Sequence, residues 1–419
     1  MSSEEEEEVR VEAVWSKAGM GTCLVVAVGG NSGNSNKSMK IALDMGVTPI
    51  MEDAIAASHV FVSHGHVDHM GGIFHHARAH SVTHNGKAPT YYVPFQLVPM
   101  LERARDSISE MDGAQLLQQD DATNENNDKP NHNCGGGRKS LLRLNLVGVH
   151  PGDEIVLPKP TLNGGGKVFV RAFAVDHGGH PALGYTIGIR WPPGLKEEYR
   201  QLKGSDIRDL VKAGIPIKAD TGVERLALTY TGDTCLSGLL LRPSQQSSQP
   251  SFVWDVPLLI CEVTYVENTM DSQQKATERG HMHIQHVAQL LSSFELQSNN
   301  EDTNNEHDER HRRLPPRRIL LFHLSGKYSA EYALHQIALQ LPRQFHDRCD
   351  VAIASFHKTY HNKRSNSNHD KKNSSHDNDA SSSSSEWISN IQENGCISLS
   401  DYISAKGGYD HIRMELNNS

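Results

Sequence analysis

Apolar residues along the chain fall into short runs bordered by glycine, proline and asparagine. Ten runs, rich in valine, isoleucine, leucine and phenylalanine, predict strands at 23–28, 40–44, 60–63, 90–93, 168–175, 183–189, 225–231, 258–263, 319–324 and 351–355. Helical spacing appears at 71–79, 94–109, 205–213, 284–294 and 329–341. Strands interspersed with helices predict an α/β sandwich with helices on its outer faces. Four polar stretches interrupt this pattern, at 118–139, 243–251, 297–318 and 361–386. None can bury enough apolar surface to offset its ordering entropy, so all four are expected to be disordered. The same reasoning divides the chain into an acidic disordered start (1–14), one domain carrying the first three inserts (15–358), a low-complexity linker (359–386) and a tail (387–419) that nothing chemical marks.

Composition changes this picture in three ways. The hydrophobic share is 37%, low for a globular protein, but the deficit lies in the inserts. Lysine plus arginine is 41 and aspartate plus glutamate is 50, a net charge of −9, which argues against a globally basic nucleic-acid binder. No apolar run approaches the roughly 18 residues of a membrane helix, so no membrane span is expected. The start, Met-Ser-Ser followed by Glu4–Glu8, has neither a basic, apolar secretory pattern nor an acid-poor transit pattern, so a cytoplasmic or nuclear location is expected. Six cysteines at 23, 134, 235, 261, 349 and 396 form no CxxC, which excludes a cysteine zinc finger or disulfide framework as the organising device. Histidine is the outlier, at 25 residues. Several sit inside or just after strand-like segments, where a chemical reason is needed.

The sharpest such feature follows the strand at 60–63: Ser63-His64-Gly65-His66-Val67-Asp68-His69-Met70-Gly71-Gly72. In an extended loop alternate residues point the same way, so His64 and His66 can reach one metal. The turn then carries Asp68 and His69 toward a second. Imidazole with carboxylate suits zinc, with manganese or iron as alternatives. Later strands end in further candidates: Asp176-His177-Gly178-Gly179-His180, Gly232-Asp233-Thr234 and His323-Leu324-Ser325-Gly326-Lys327-Tyr328.

With these motifs the chain resembles the metallo-β-lactamase superfamily and, within it, the plant-type short form of ribonuclease Z, the tRNA 3′-processing endoribonucleases. The resemblance rests on IALDMG (41–46), VFVSHGHVDHMGGI (60–73), LVGVHPGD (146–153), ALGYTI (182–187), TYTGDT (229–234), LLICEVTY (258–265), ERGHMHIQHVA (278–288) and LLFHLSGKYS (320–329). It implies an αββα sandwich and a zinc-dependent phosphodiesterase that removes 3′ trailers from precursor tRNA. It also implies two zinc ions, one held by His64, His66 and His177 and the other by Asp68, His69 and His323, with Asp233 bridging them. Water between two zincs is acidified, so hydroxide is available near neutral pH to attack the phosphodiester, with Asp68 orienting or deprotonating it. Glu262 and His281 are implied as an oriented pair that protonates the leaving oxygen. A homodimer is the implied assembly.

Some points depart from the family pattern. His177 lies one residue farther from Gly184 than the pattern has it, leaving His180 as an alternative ligand. His283 competes with His281 as proton donor. The expected Ser-x-Arg-Tyr reads Ser325-Gly326-Lys327-Tyr328, and lysine lacks the bidentate fork of arginine toward phosphate, though Ser325, Lys327 and Tyr328 remain candidates for substrate binding. The stretch 28–38 lacks the family's Pro-Thr and Arg-Asn elements. Its glycines allow close approach to a phosphate, and a plain hairpin fits equally well. The family's basic tRNA-gripping arm is short here, and the cations Lys196, Arg200, Lys203, Arg208, Lys212 and Lys218 are balanced by neighbouring acids. These departures keep a second reading alive: a dinuclear hydrolase of the same fold acting on a small ester such as a cyclic nucleotide.

Overall fold

The computed structural model describes residues 9–29, 38–48, 51–111, 142–162, 165–239, 253–296, 316–356 and 387–418. The expected inserts fall outside these residues, except that 316–318 lead into a strand.

Two sheets face each other. The first runs in the order β1 (Val9–Lys17), β2 (Gly21–Val28), β3 (Met39–Leu43), β4 (His59–Phe61), β5 (Thr90–Pro94) and β6 (Asn145–Val149). Its first two pairings are antiparallel and the rest parallel. The second holds β7 (Glu154–Leu162), β8 (Gly166–Ala174), β9 (Leu183–Trp191), β10 (Val223–Tyr230), β11 (Leu258–Glu262), β12 (Arg318–Phe322), β13 (Cys349–Ala352) and β14 (Cys396–Ser398), adjacent in that order. Strands β10 to β13 are mutually parallel, so their carboxyl ends share one edge of the sandwich.

Side-chain alternation explains the layering. On β2, Leu24 and Val26 face the inter-sheet core with Val170, Tyr185, Ile187 and Phe322, while Cys23 and Val25 face outward. On β12, Leu320 and Phe322 point inward and Ile319 and Leu321 outward. A strand buried on both faces reads as a continuous apolar run, as LVV and ILLF do. Helices cover both outer faces. The first sheet packs against α3 (Ile73–Thr83) and α4 (Val98–Met111), which lie beyond two short helices, α1 (Met51–Ala54) and α2 (Val67–Met70). An excursion carrying α5 (Gly204–Lys212) joins β9 to β10, and β10 leads into α6 (Leu236–Leu239) and then α7 (Met270–Glu278). The second sheet packs against α8 (Ile284–Leu296), α9 (Ala330–Gln340), α10 (Leu399–Ala405) and α11 (Tyr409–Asn418).

Two regions differ from the sequence reading. Residues 9–14 belong to β1, whose alternation Val9-Arg10-Val11-Glu12-Ala13 is overshadowed by the glutamate run before it. Residues 387–418 are part of the sandwich. β14 pairs with β13, and Trp387, Ile397, Leu399, Tyr402 and Ile412 complete the outer core. Lys406, nearly buried, clamps this segment to Glu331 of α9 and Glu415 of α11. Its elements, of three, seven and ten residues, are too short for periodicity to reveal.

Candidate metal centre

The ends of β4, β8, β10, β11 and β12 converge on one side of the sandwich. His64, His66 and His177 bring ring nitrogens together, and beside them Asp68, His69 and His323 gather a carboxylate oxygen and two ring nitrogens. His66 Nδ1 lies 3.2 Å from His177 Nε2, and His69 Nε2 lies 3.1 Å from His323 Nε2. Asp233 stands between the trios, with its Oδ2 3.9 Å from His64 Nε2 and 3.3 Å from His69 Nε2. Residues from four separate chain segments thus meet around one carboxylate.

Three of the imidazoles have one nitrogen fixed by the fold. His69 Nδ1 donates to Asp44 at 2.7 Å, and His177 Nδ1 donates to the carbonyl of Gly280 at 2.8 Å. His64 Nδ1 donates to Ser63 Oγ at 3.0 Å, and that hydroxyl in turn donates to Asp44 at 2.8 Å. In each ring this leaves Nε2 turned to the centre, the arrangement metal-ligating histidines adopt. The backbone conforms at some cost. His323 and Asp44 hold positive φ (67° and 59°), a conformation costing about 1 kcal/mol or more for a non-glycine residue. Gly280 is required, because a Cβ there would lie 2.5 Å from the His177 carbonyl carbon. Gly232 likewise lets the Asp233 loop close on Ser63, where a Cβ would meet Ser63 Cβ at 2.6 Å.

Electrostatics follow from burial and neighbours. Burial and the adjacent imidazoles push the pKa values of His64, His66 and His177 down, which favours the neutral ligand form. Burial acts on His69 in the same direction, but the carboxylates of Asp233 and Asp44 outweigh it and raise its pKa well above the usual value. Burial would raise Asp233 and Asp68, yet His323 and His69 hold both well below the ordinary carboxylate range, with Gly19 N also donating to Asp68 at 2.7 Å. Two buried polar atoms have no hydrogen-bond partner among the described residues that surround them: His64 Nε2 and Asp233 Oδ1. A buried polar atom left unpaired costs about 1–3 kcal/mol, and a divalent cation between the trios would satisfy both. The donor set of imidazoles and carboxylates fits such a cation.

Beside this centre lies a second pair. Glu262, fully buried, receives the backbone N–H of Thr234, Thr264 and Met282 and the hydroxyl of Thr264, and stands 3.1 Å from His281 Nδ1. Burial pulls the His281 pKa down, but the Glu262 carboxylate, its hydrogen bond and Asp233 carry it up to about 9. The His281 ring sits 5.0 Å from that of His177 and 5.6 Å from that of His323.

The competing assignments separate by geometry. His180 is exposed, at the end of a tight turn bridging back to His177 through two glycines, its ring 4.8 Å from that of His66. His283 accepts the N–H of Gln285 and donates from Nε2 to the carbonyl of Glu267, so it caps α8 and does not face the centre. Lys327 pairs with Glu267 at 2.9 Å and lies over the rings of Tyr265 and Tyr328. Tyr328 is buried, its hydroxyl accepting Val266 N–H, so of the substrate-binding candidates Ser325 alone keeps a half-exposed, uncharged side chain at the rim. Of the stretch 28–38, residues 30–37 lie outside the described residues. Gly21, at the near end of β2, pairs with Lys17, whereas Val28 pairs with Val9 and Met39 at the far end. The near connection is the short turn Ala18-Gly19-Met20. Sequence reasoning missed Asp44, which organises Ser63, His69 and the hydroxyl of Tyr230. It also missed Thr264, which links Glu262 to His323. Both stand in quoted motifs, IALDMG and LLICEVTY, directly after strands.

A four-layer sandwich that gathers histidines and aspartates at the carboxyl ends of its strands is the architecture of the metallo-β-lactamase fold. No family model matches the chain. Over 295 residues it is 24% identical to tRNase Z TRZ1 of Arabidopsis thaliana, spanning 70% of this chain and 81% of that protein. Over 180 residues it is 28% identical to a nuclear ribonuclease Z of Triticum aestivum, spanning 43% of this chain and 81% of that protein. Among solved structures it aligns with human tRNase Z, short form (ELAC1), at 16% identity and a TM-score of 0.40, over 76% of this chain and 93% of that one. In sequence the chain is thus similar to plant ribonuclease Z proteins.

Proposed function

We propose that this protein is a metal-dependent endoribonuclease that removes 3′ trailers from precursor tRNA. The carrying observation is the pair of ligand trios sharing Asp233, set beside an oriented Glu262–His281 pair. His64, His66 and His177 would hold one zinc, Asp68, His69 and His323 the other, and Asp233 would touch both, with manganese or iron able to replace zinc. When bound, such a pair lowers the pKa of water and neutralises charge on an attacked phosphate. Asp68, kept anionic and anchored by Gly19 N–H, is placed to orient the attacking water and take its proton. Glu262 holds the His281 ring by Nδ1, leaving Nε2–H to protonate the departing 3′ oxygen. The bond broken is P–O3′, so the tRNA keeps a 3′-hydroxyl and the trailer a 5′-phosphate.

No helix among the described residues is long and apolar enough to cross a membrane. We expect a nuclear or cytoplasmic location; a wheat relative is named for the nucleus, and an Arabidopsis relative for the chloroplast. A homodimer is the assembly we expect, testable by light scattering. The test of function is cleavage of an end-labelled precursor tRNA by wild type and His66→Ala, with and without chelator. A single cut after the discriminator base, lost in the variant and with chelator, supports the proposal. An uncut precursor alongside hydrolysis of bis(p-nitrophenyl) phosphate would replace it with the small-ester reading.

A further inference from the structure

The mouth of the centre is framed by the last residues of β1. Ser16 Oγ accepts the N–H of His323, Ala18 N–H donates to Leu324 and bridges Ser325, and Gly19 N–H donates to Asp68. Lys17 sits in the middle of this seam, one residue from a contact to a histidine of the centre and two from a contact to a carboxylate. Its ammonium group lies 4.4 Å over the ring of Phe356. Its stem passes Gly326 so closely that a Cβ there would stand 3.1 Å from Lys17 Cε. A glycine at 326 therefore makes room for the lysine. Among the described residues Lys17 forms no ion pair with a carboxylate.

Lys327, on the other side of the same loop, contrasts with it. Glu267 neutralises Lys327. Of the two lysines flanking Gly326, Lys17 is the one with an uncompensated charge. It is half-buried, so its position is defined, and a cation–π contact of about 0.5–1 kcal/mol is weak enough to yield to a charge-assisted phosphate contact.

We propose that Lys17 is a phosphate-binding residue at the mouth of the centre, gripping the RNA backbone beside the cleaved bond. This rests on the RNA-cleaving function proposed above. It assigns to the end of β1 a task for which Lys327, paired with Glu267, is not free. The ligand class is single-stranded polyribonucleotide, recognised by its phosphates.

The test is binding of a fluorescein-labelled single-stranded RNA to the metal-loaded full-length protein. It is read by anisotropy across a salt series, with strand integrity checked on a gel. Lys17→Ala is expected to weaken binding about 5–10-fold at low salt and to reduce the slope of log K against log salt by about 0.7, the share of one phosphate contact on a single strand. Lys17→Arg should restore both, and Lys327→Ala should move the slope by less than half as much. Lys17→Met, which keeps the apolar stem, guards against misfolding and should match the alanine variant. An unchanged slope in Lys17→Ala and Lys17→Met overturns the proposal, as does a wild type that binds no RNA. A Lys17-dependent slope together with uncut precursor tRNA would leave this site standing while the processing function fails.

Discussion

Two histidine-rich regions of this molecule use the same side chain in opposite ways. On α3 and against the C-terminal segment, histidines are satisfied by the protein. His76 has Tyr91 OH 2.6 Å from Nδ1 and the carbonyl of Ala54 2.9 Å from Nε2, and His346 has Tyr409 OH and the carbonyl of Leu341 at the same two distances. Around Asp233 each of His64, His69 and His177 has one nitrogen fixed and the other aimed at neighbouring ligands. Burial alone does not separate the groups, since His76 and His64 are both fully buried. The distinction is whether the second nitrogen has a partner within the protein. Where it has, the histidine is packing. Where it has none, as at His64 Nε2, a cation would complete the site.

Asp233→Ala should break the second region most severely. Removing the carboxylate that both trios share is expected to lower cleavage by about 10³-fold or more and to reduce bound metal, checked by single-turnover kinetics and elemental analysis. Retention of two metals with full activity would end the bridging assignment. His281→Ala and Glu262→Gln should next lower kcat by about 10²–10³-fold while metal content holds, because they act on proton delivery and not on ligation. Asp44→Asn keeps the shape but weakens the hold on His69 and Ser63. It should cost about 10–100-fold in metal affinity, measured by competition with a chelating dye.

The smallest effect falls on the packing side. Burial lowers the His76 pKa to about 4 from its ordinary value, so the unfolded chain takes up a proton before the folded one does. Its contribution is present above about pH 6.5 and is lost as pH falls toward 4. Between pH 7 and 5 the loss is on the order of 2 kcal/mol. His76→Phe should flatten that part of the pH dependence in urea unfolding, with metal content equal to wild type. If the variant loses metal, the contrast between the two regions is wrong.

Chain neighbours carried the most legible information. His64, His66, Asp68 and His69 lie within six residues at the end of one strand, so their convergence needs only local backbone geometry. The long apolar runs of β2, β11 and β12 were equally plain, because burial on both faces requires continuous hydrophobicity. Asp44 was not legible as an organiser, because its partners stand 19, 25 and 186 residues away. Strand β14 and the helices after it were missed because their apolar residues are set by a surface that other parts of the chain build.

From the sequence alone came the existence of a sandwich, the candidate ligand residues and the kind of metal they would suit. All of these depend on residue type and spacing along the chain. Only the tertiary structure decided which histidine nitrogens are spent on hydrogen bonds, that His177 is buried among the candidate ligands while His180 is exposed, and that the end of β1 and the turn after it contact the centre. Those choices depend on how strand ends from distant segments pack against one another, and no local pattern encodes the direction in which a ring nitrogen finally points.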